Sequence, residues 1–306
     1  MDLNASAPSK PIARRTVLAG AAALAATVAL PRTARADQPG EAAGAIEALE
    51  AKHDRRIGLY AKNLRTGQEL THRPDERFAL CSTFKTLAVA AALDGRLVTP
   101  DRQAQQRPVH YPPSLVAGDV WAPYTRKWFA EGYVPTFAEV CEVAVRDSDN
   151  GAANLVVQAI GGPAAVTDFV RDLGDRVTWL NRWEPDLSEY VPGQVVDTST
   201  PRALGTSYTK IILGRALQHR ERETITGWLL GNRANPPFRK GLPAGWTLAD
   251  KTGSGSYATR NDVGIAWNER QDPILVSCLT RADDPEATRK DEPLTEAFVH
   301  CIERLG

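Results

Sequence analysis

Strand-like patterns stand at both ends of this chain, and a long helical stretch stands between them. Near the start, "RIGLYAKNL" (56–64) and "QELTHR" (68–73) read as a hairpin around "RTG". Near the end, "WTLADKTGSG" (246–255), "TRNDVGIAWNE" (259–269) and "ILVSCLTR" (274–281) read as strands joined by short turns. An isolated hairpin is marginal in water, so strands from the two ends are expected to share one sheet. The order predicts an α+β fold: an antiparallel sheet flanked by N- and C-terminal helices, with an all-helical region inserted. The expected division is an α/β domain of residues 37–79 plus 230–306, a helical domain of residues 80–229, and an active site between them. "GEAAGAIEALEAKHD" (40–54) and "DEPLTEAFVHCIERL" (291–305) supply the flanking helices, the second with Leu294, Phe298, Ile302 and Leu305 on one face.

Residues 1–36 read as an export signal rather than as part of the fold. Arg14 and Arg15 precede a mildly apolar stretch from Val17 to Leu30, and Ala34-Arg35-Ala36 closes it with an A-x-A cleavage pattern. The paired arginines predict twin-arginine export and a secreted or otherwise extracytoplasmic protein, with no membrane attachment after cleavage. Cleavage removes Lys10, Arg14, Arg15, Arg32, Arg35 and Asp2, and takes the chain from neutral to a net charge of −4. No basic stripe interleaved with aromatics is present, so a nucleic-acid partner is not expected. The balance suits a soluble monomer that meets a small molecule.

Four cysteines (Cys81, Cys141, Cys278, Cys301) and five histidines (His53, His72, His110, His219, His300) form no zinc spacing and no metal pair, and no cofactor is expected. The sequence leaves the pairing of the cysteines open.

The chemistry concentrates in three short motifs. Ser82 and Lys85 sit three apart where "CSTFK" runs into the apolar "TLAVAAAL". A lysine in the first turn of a buried helix opposes the helix dipole, so it needs another reason to be there. S-x-x-K alone is weak evidence, expected about once in 300 residues at average usage. Indeed Ser207 and Lys210 repeat it within "TPRALGTSYTKIILG", where they read as an ordinary helix face. Two further triplets occur at wide spacing: Ser148-Asp149-Asn150 and Lys251-Thr252-Gly253. A given triplet arises by chance in roughly one chain in fifteen of this length, so their ordered company carries weight.

On these residues the chain resembles the class A serine β-lactamases, within a superfamily shared with penicillin-binding proteins. The resemblance extends over nearly the whole chain after the signal, through "RWEPDLSEYVPGQVVDTSTP" (182–201), which is similar to the family's Ω loop. It implies a hydrolase that opens the amide of penicillins, and of cephalosporins as a further class, through a serine acyl-enzyme, giving antibiotic resistance. Ser82 is then the nucleophile, and Lys85 is able to act as a base once its pKa is lowered by burial and by Lys251; the sequence leaves open whether Lys85 or Glu184 takes the serine proton. Ser148 relays a proton to the leaving nitrogen, and Asn150 holds the substrate side-chain amide. The backbone N–H groups of Ser82 and Ser254 form the oxyanion hole. Thr252, Gly253 and Arg260 belong to the substrate-carboxylate site, and Trp121 flanks the mouth. Glu184 activates the deacylating water, and Arg182 with Asp197 closes its loop. Ser188 stands where the family usually carries asparagine to help hold that water. Cys141 fits a position that forms a disulfide in some members, yet the partner position is Val89; Cys81 likewise lacks a partner, since Gly255 occupies the site that is cysteine in some members. Two alternatives stay open: a penicillin-binding D-Ala-D-Ala peptidase or transpeptidase of the same fold, and a β-lactam receptor that acylates and stops. The first does not need the Glu184 loop, and the second usually comes with a transmembrane transducer, of which the sequence shows no segment beyond the export signal.

The signal reading is tested directly. N-terminal sequencing of secreted protein is expected to begin at Asp37, and replacing Arg14 and Arg15 with lysine is expected to block secretion. Undiminished secretion of that variant would rule out the twin-arginine route.

Overall fold

The structure is a computed structural model; it describes residues 39–94, 105–118 and 120–306. The export signal lies outside the described residues. Among them, five antiparallel strands form one sheet in the order β2-β1-β7-β6-β5. These are β1 (Arg56–Asn63), β2 (Glu69–His72), β5 (Thr247–Ser254), β6 (Arg260–Trp267) and β7 (Pro273–Arg281). The two ends of the chain meet at the β1–β7 seam, where Leu59 pairs with Cys278 and Ala61 with Val276. A separate two-residue pair, β3 (Phe78–Ala79) with β4 (Thr198–Ser199), has no sequence signature because two residues carry no period.

The strands alternate their apolar side chains between two cores. Ile274, Val276 and Cys278 of β7 face a cluster built with Ile46 of α1 (Pro39–His53) and with Leu294, Phe298 and Ile302 of the C-terminal helix Glu292–Leu305. Phe298 stacks on Phe238 with ring centroids 4.6 Å apart. Leu275 and Leu279 of the same strand face the larger cluster, which contains most of the intervening helices. Because both faces are covered, β6 and β7 read as nearly continuous buried runs.

At the centre of the larger cluster lies α2 (Phe84–Leu93), every residue of which is buried. A helix that is apolar all round has to be surrounded. The surrounding helices are Phe137–Arg146, Asn150–Ala159, Pro163–Asp172, Pro201–Ile212 and His219–Leu230. Their starts are fixed by local chemistry. Thr136 and Glu139 form a reciprocal capping box, Asp149 caps the helix at Asn150, and Thr200 caps the helix at Pro201.

β1 passes so close to β3 that only glycine fits at position 58. A Cβ there would lie 2.4 Å from Phe78 Cε2 and 2.8 Å from Pro201 Cγ. Both neighbours belong to the segments that lead into Ser82 and out of the Ω-like loop. Gly58→Val is therefore expected to destabilise the protein by about 1–3 kcal/mol through overpacking. Urea unfolding monitored by tryptophan fluorescence measures this, and an unchanged midpoint would mean that the β1–β3 contact is not tight.

Candidate active site

Ser82 lies in a short 3-10 turn, Cys81–Thr83, that runs directly into α2. The turn is anchored on several sides. Thr83 Oγ1 donates to Leu80 O at 2.6 Å, Tyr208 Oη donates to Thr83 O at 2.7 Å, and Asn261 Nδ2 donates to Ala79 O at 2.8 Å. Leu80 N donates to Asp197 O at 2.8 Å, which ties the turn to the end of the loop 182–197. Cys81, just before the nucleophile, holds a left-handed φ of 44°. Gly253 on β5 accommodates this, since a Cβ there would meet Leu80 O at 3.0 Å and Cys81 Cβ at 3.2 Å.

Lys85 answers the dipole problem. Its ammonium group is fully buried and donates to Ser148 O at 2.8 Å and to Asn150 Oδ1 at 2.6 Å. It lies 3.1 Å from Glu184 Oε1 and 3.3 Å from Ser148 Oγ. Lys251, also fully buried, donates to Ser148 Oγ at 3.1 Å and to Thr252 O at 3.0 Å. Burial pulls the Lys85 amine below its ordinary value, and the nearby Glu184 carboxylate opposes the shift. Burial first, and then the Lys85 charge, pull Lys251 down to about 7. Burial pushes the Cys81 thiol well up, so it is a poor nucleophile. All four cysteines are free and buried.

Glu184 approaches from the opposite side on its loop. Ser82 Oγ donates to its Oε1 at 3.3 Å, and Ser188 Oγ donates to its Oε2 at 3.3 Å. The Glu184–Pro185 peptide bond is cis. Asn154 fixes the backbone of Glu184 from both directions: Nδ2 donates to Glu184 O at 2.9 Å, and Oδ1 accepts from Glu184 N at 3.0 Å. Behind the loop, Arg182 Nε donates to the buried Asp197 at 2.6 Å, and Asp197 Oδ1 accepts from the N–H groups of Asn181 and Arg182.

A cleft of about 780 Å³ opens over these groups. Ser82, Ser148, Asn150, Glu184 and Ser188 line one part of it, and Thr252, Gly253, Ser254 and Arg260 line another. Trp121, 63% exposed, stands at the mouth with its indole N–H on Asp147 O. The two lysines lie beneath the floor. Arg260 sits on β6 directly opposite Ser254, bonds to Ser254 Oγ at 3.1 Å and pairs with Asp291 at 2.7 Å. The second S-x-x-K copy is elsewhere: Ser207 Oγ donates to Asp175, and Lys210 Nζ donates to Leu173 O. No group of three or more potential metal ligands occurs among the described residues.

Several further residues support the site. Asp149 accepts from Tyr124 N, Thr125 N, Thr125 Oγ1 and Ala152 N, which pins the turn between Ser148 and Asn150. Asn154 is four residues beyond Asn150 on the same helix, a spacing that places both on one face. Asp291, at the start of the C-terminal helix, and Arg233 also line the cleft, though neither belongs to a motif.

A serine held against a loop carboxylate, over two buried lysines at the edge of an antiparallel sheet, defines a serine hydrolase that works by acyl transfer. The chain belongs to the β-lactamase enzyme family, whose profile matches residues 41–299. It is 45% identical over 290 residues to a β-lactamase of Streptomyces fradiae, covering 93% of this chain and 94% of that one. The solved β-lactamase from Streptomyces albus G superposes with a TM-score of 0.82 at 42% identity, covering 87% of this chain and 100% of that one. The β-lactamase from Desulfarculus baarsii DSM 2075 gives 0.83 at 39% identity, covering 88% and 98%.

The buried Lys251 has a measurable signature. Below about pH 7 it is charged in both folded and unfolded chains, and the full cost of burying that charge is present. From there up to the ordinary amine value of 10.5, the unfolded chain holds the proton and the folded one does not. Stability therefore gains with rising pH across this window. Relative to wild type, Lys251→Met is expected to melt highest at pH 6 and to have lost a substantial part of that relative gain by pH 9. A difference in melting temperature that is independent of pH would mean that Lys251 keeps its charge.

Proposed function

We propose that the chain opens the β-lactam amide at Ser82 and releases the product with water activated by Glu184. The observation that carries this is the convergence of two hydroxyls, Ser82 and Ser188, on the two oxygens of the Glu184 carboxylate. Ser82 Oγ attacks the lactam carbonyl, and its proton passes to Glu184. The ammonium protons of Lys85 already point to Ser148 O, Asn150 Oδ1 and Glu184, which favours the carboxylate as the acceptor. The oxyanion forms against the N–H groups of Ser82 and Ser254. As the C–N bond breaks, Ser148 Oγ gives its proton to the nitrogen and is resupplied by Lys85 at 3.3 Å, which recovers from Glu184, 3.1 Å away, the proton taken from Ser82 and so leaves the carboxylate ionised. Water then occupies the space between Glu184 and Ser188 and attacks the ester. Asn150 receives the side-chain amide beside Trp121. Thr252, Gly253 and Arg260 receive the carboxylate, whose charge restores the proton on Lys251.

A D-Ala-D-Ala transpeptidase or a stalled receptor needs no carboxylate at this distance from the serine. The substrates on this reading are penicillins, with cephalosporins as a second class, and the outcome is antibiotic resistance. The helical unit 80–229 and the α/β unit 37–79 plus 230–306 supply the two walls of the cleft. On this reading the protein is an exported monomer; the paired arginines support the export, and no described helix is long and apolar enough to cross a membrane.

The test is a chemical trap. With a penicillin, Glu184→Gln is expected to open about one equivalent, with Lys85 left to take the Ser82 proton more slowly, and then nearly stop as the acyl-enzyme, since general-base assistance to the water is worth roughly a hundredfold to ten-thousandfold. Mass spectrometry should place the adduct on Ser82, and Ser82→Ala should form none. Normal turnover by Glu184→Gln would assign the water to another residue.

A further inference from the structure

One ion pair at the rim of the cleft has no part in these steps. Arg233 lines the cleft and grips Asp147 through two parallel bonds, Nε to Oδ1 at 2.8 Å and Nη2 to Oδ2 at 2.6 Å. This fork is the geometry that makes an arginine–carboxylate pair directional as well as strong. Asp147 is 9% exposed and immediately precedes Ser148. The backbones reinforce the side chains: Arg233 N donates to Arg146 O at 2.7 Å, and Arg146 Nε donates to Gly231 O at 3.2 Å. A Cβ on Gly231 would lie 2.8 Å from that Nε. Residues 146–147 and 231–233, 86 positions apart at the ion pair, are thus joined in both directions.

The turn just beyond Asp147 needs such support. Ser148 holds a left-handed φ of 58°, a sparsely populated conformation that persists only where the surroundings over-determine it. Its hydroxyl must stay between Lys251 at 3.1 Å and Lys85 at 3.3 Å. Asp149 pins the turn from the far side, and Asp147 is the corresponding fixed point on the near side. The guanidinium of Arg233 is spent on this task. Its fork is filled by Asp147, and the Tyr124 ring lies 5.6 Å away.

We propose that Asp147 and Arg233 are a positioning pair for Ser148, holding its strained turn so that its hydroxyl can deliver a proton to the lactam nitrogen. The proposal rests on the assignment of Ser148 as that proton relay. The pair acts on acylation and leaves deacylation at Glu184 alone.

Single-turnover kinetics with a chromogenic cephalosporin separates the two steps. Arg233→Ala and Asp147→Asn are each expected to slow acylation by about tenfold to a hundredfold, the cost of a small misplacement of a reacting group. Deacylation of the trapped ester is expected to keep its wild-type rate, which a general loss of structure would not spare. The double variant is expected to be no slower than either single one, because the two residues act as a unit. Arg233→Lys keeps the charge without the fork and is expected to recover only part of the rate. Should Arg233→Ala fail to fold, Asp147→Asn, equal in size, carries the test. Wild-type acylation by Asp147→Asn would overturn the proposal, and a weakened KM in Arg233→Ala alone would instead put Arg233 on the substrate. Ser148→Ala separates the proposal from its premise. If it acylates normally, the relay assignment fails and the positioning proposal falls with it. If it is slow while both clamp variants are normal, only the positioning proposal falls.

Discussion

The buried ammonium of Lys85 is the constraint around which the site is arranged. A cation removed from water costs several kcal/mol unless acceptors surround it. It also sits at the end of α2 where the helix dipole is positive. Its acceptors therefore have to come from elsewhere, and they do: Ser148 O, Asn150 Oδ1 and Glu184 Oε1. Each brings its own dependents. Ser148 and Asn150 require the turn that Asp149 pins. Glu184 requires Asn154 at its backbone and the Arg182–Asp197 pair behind its loop. Ser148, Asn150 and Glu184 converge on Lys85 because one charge on a buried helix is satisfied from three directions.

Much of this was legible in the sequence, for reasons that differ by element. The long strands of the sheet and the C-terminal helix carry strong patterns, and the structure places Leu294, Phe298, Ile302 and Leu305 in the core as their spacing implies. The three motifs identify Ser82, Lys85, Ser148 and Lys251. The loop 182–201 is legible only by resemblance, since nothing in its composition alone distinguishes Glu184 from a solvated charge. Ser188, where the resemblance implies an asparagine, does reach Glu184, at 3.3 Å. The supporting contacts were not legible. Arg233 with Asp147 and Arg260 with Asp291 are ordinary residue types whose partners lie far away in the chain. The left-handed backbone of Cys81 and Ser148 has no glycine to announce it. The cysteines, left open by the sequence, are buried free thiols. Val89, the partner position that the family resemblance implies for Cys141, is buried and supplies no sulfur.

Strand order carries a consequence for synthesis. β7 is the middle strand of the sheet, yet it is the last strand to be made. β1 has to wait for it across more than 200 residues, with its edge unpaired except to β2. Pairings so distant in the chain are entropically slow to form, and an open edge invites wrong partners meanwhile. A ribosome-bound fragment lacking residues 273–281 holds two half-sheets with nothing between them. Stop codons upstream of that strand leave no smaller working unit, however much of the cleft they preserve.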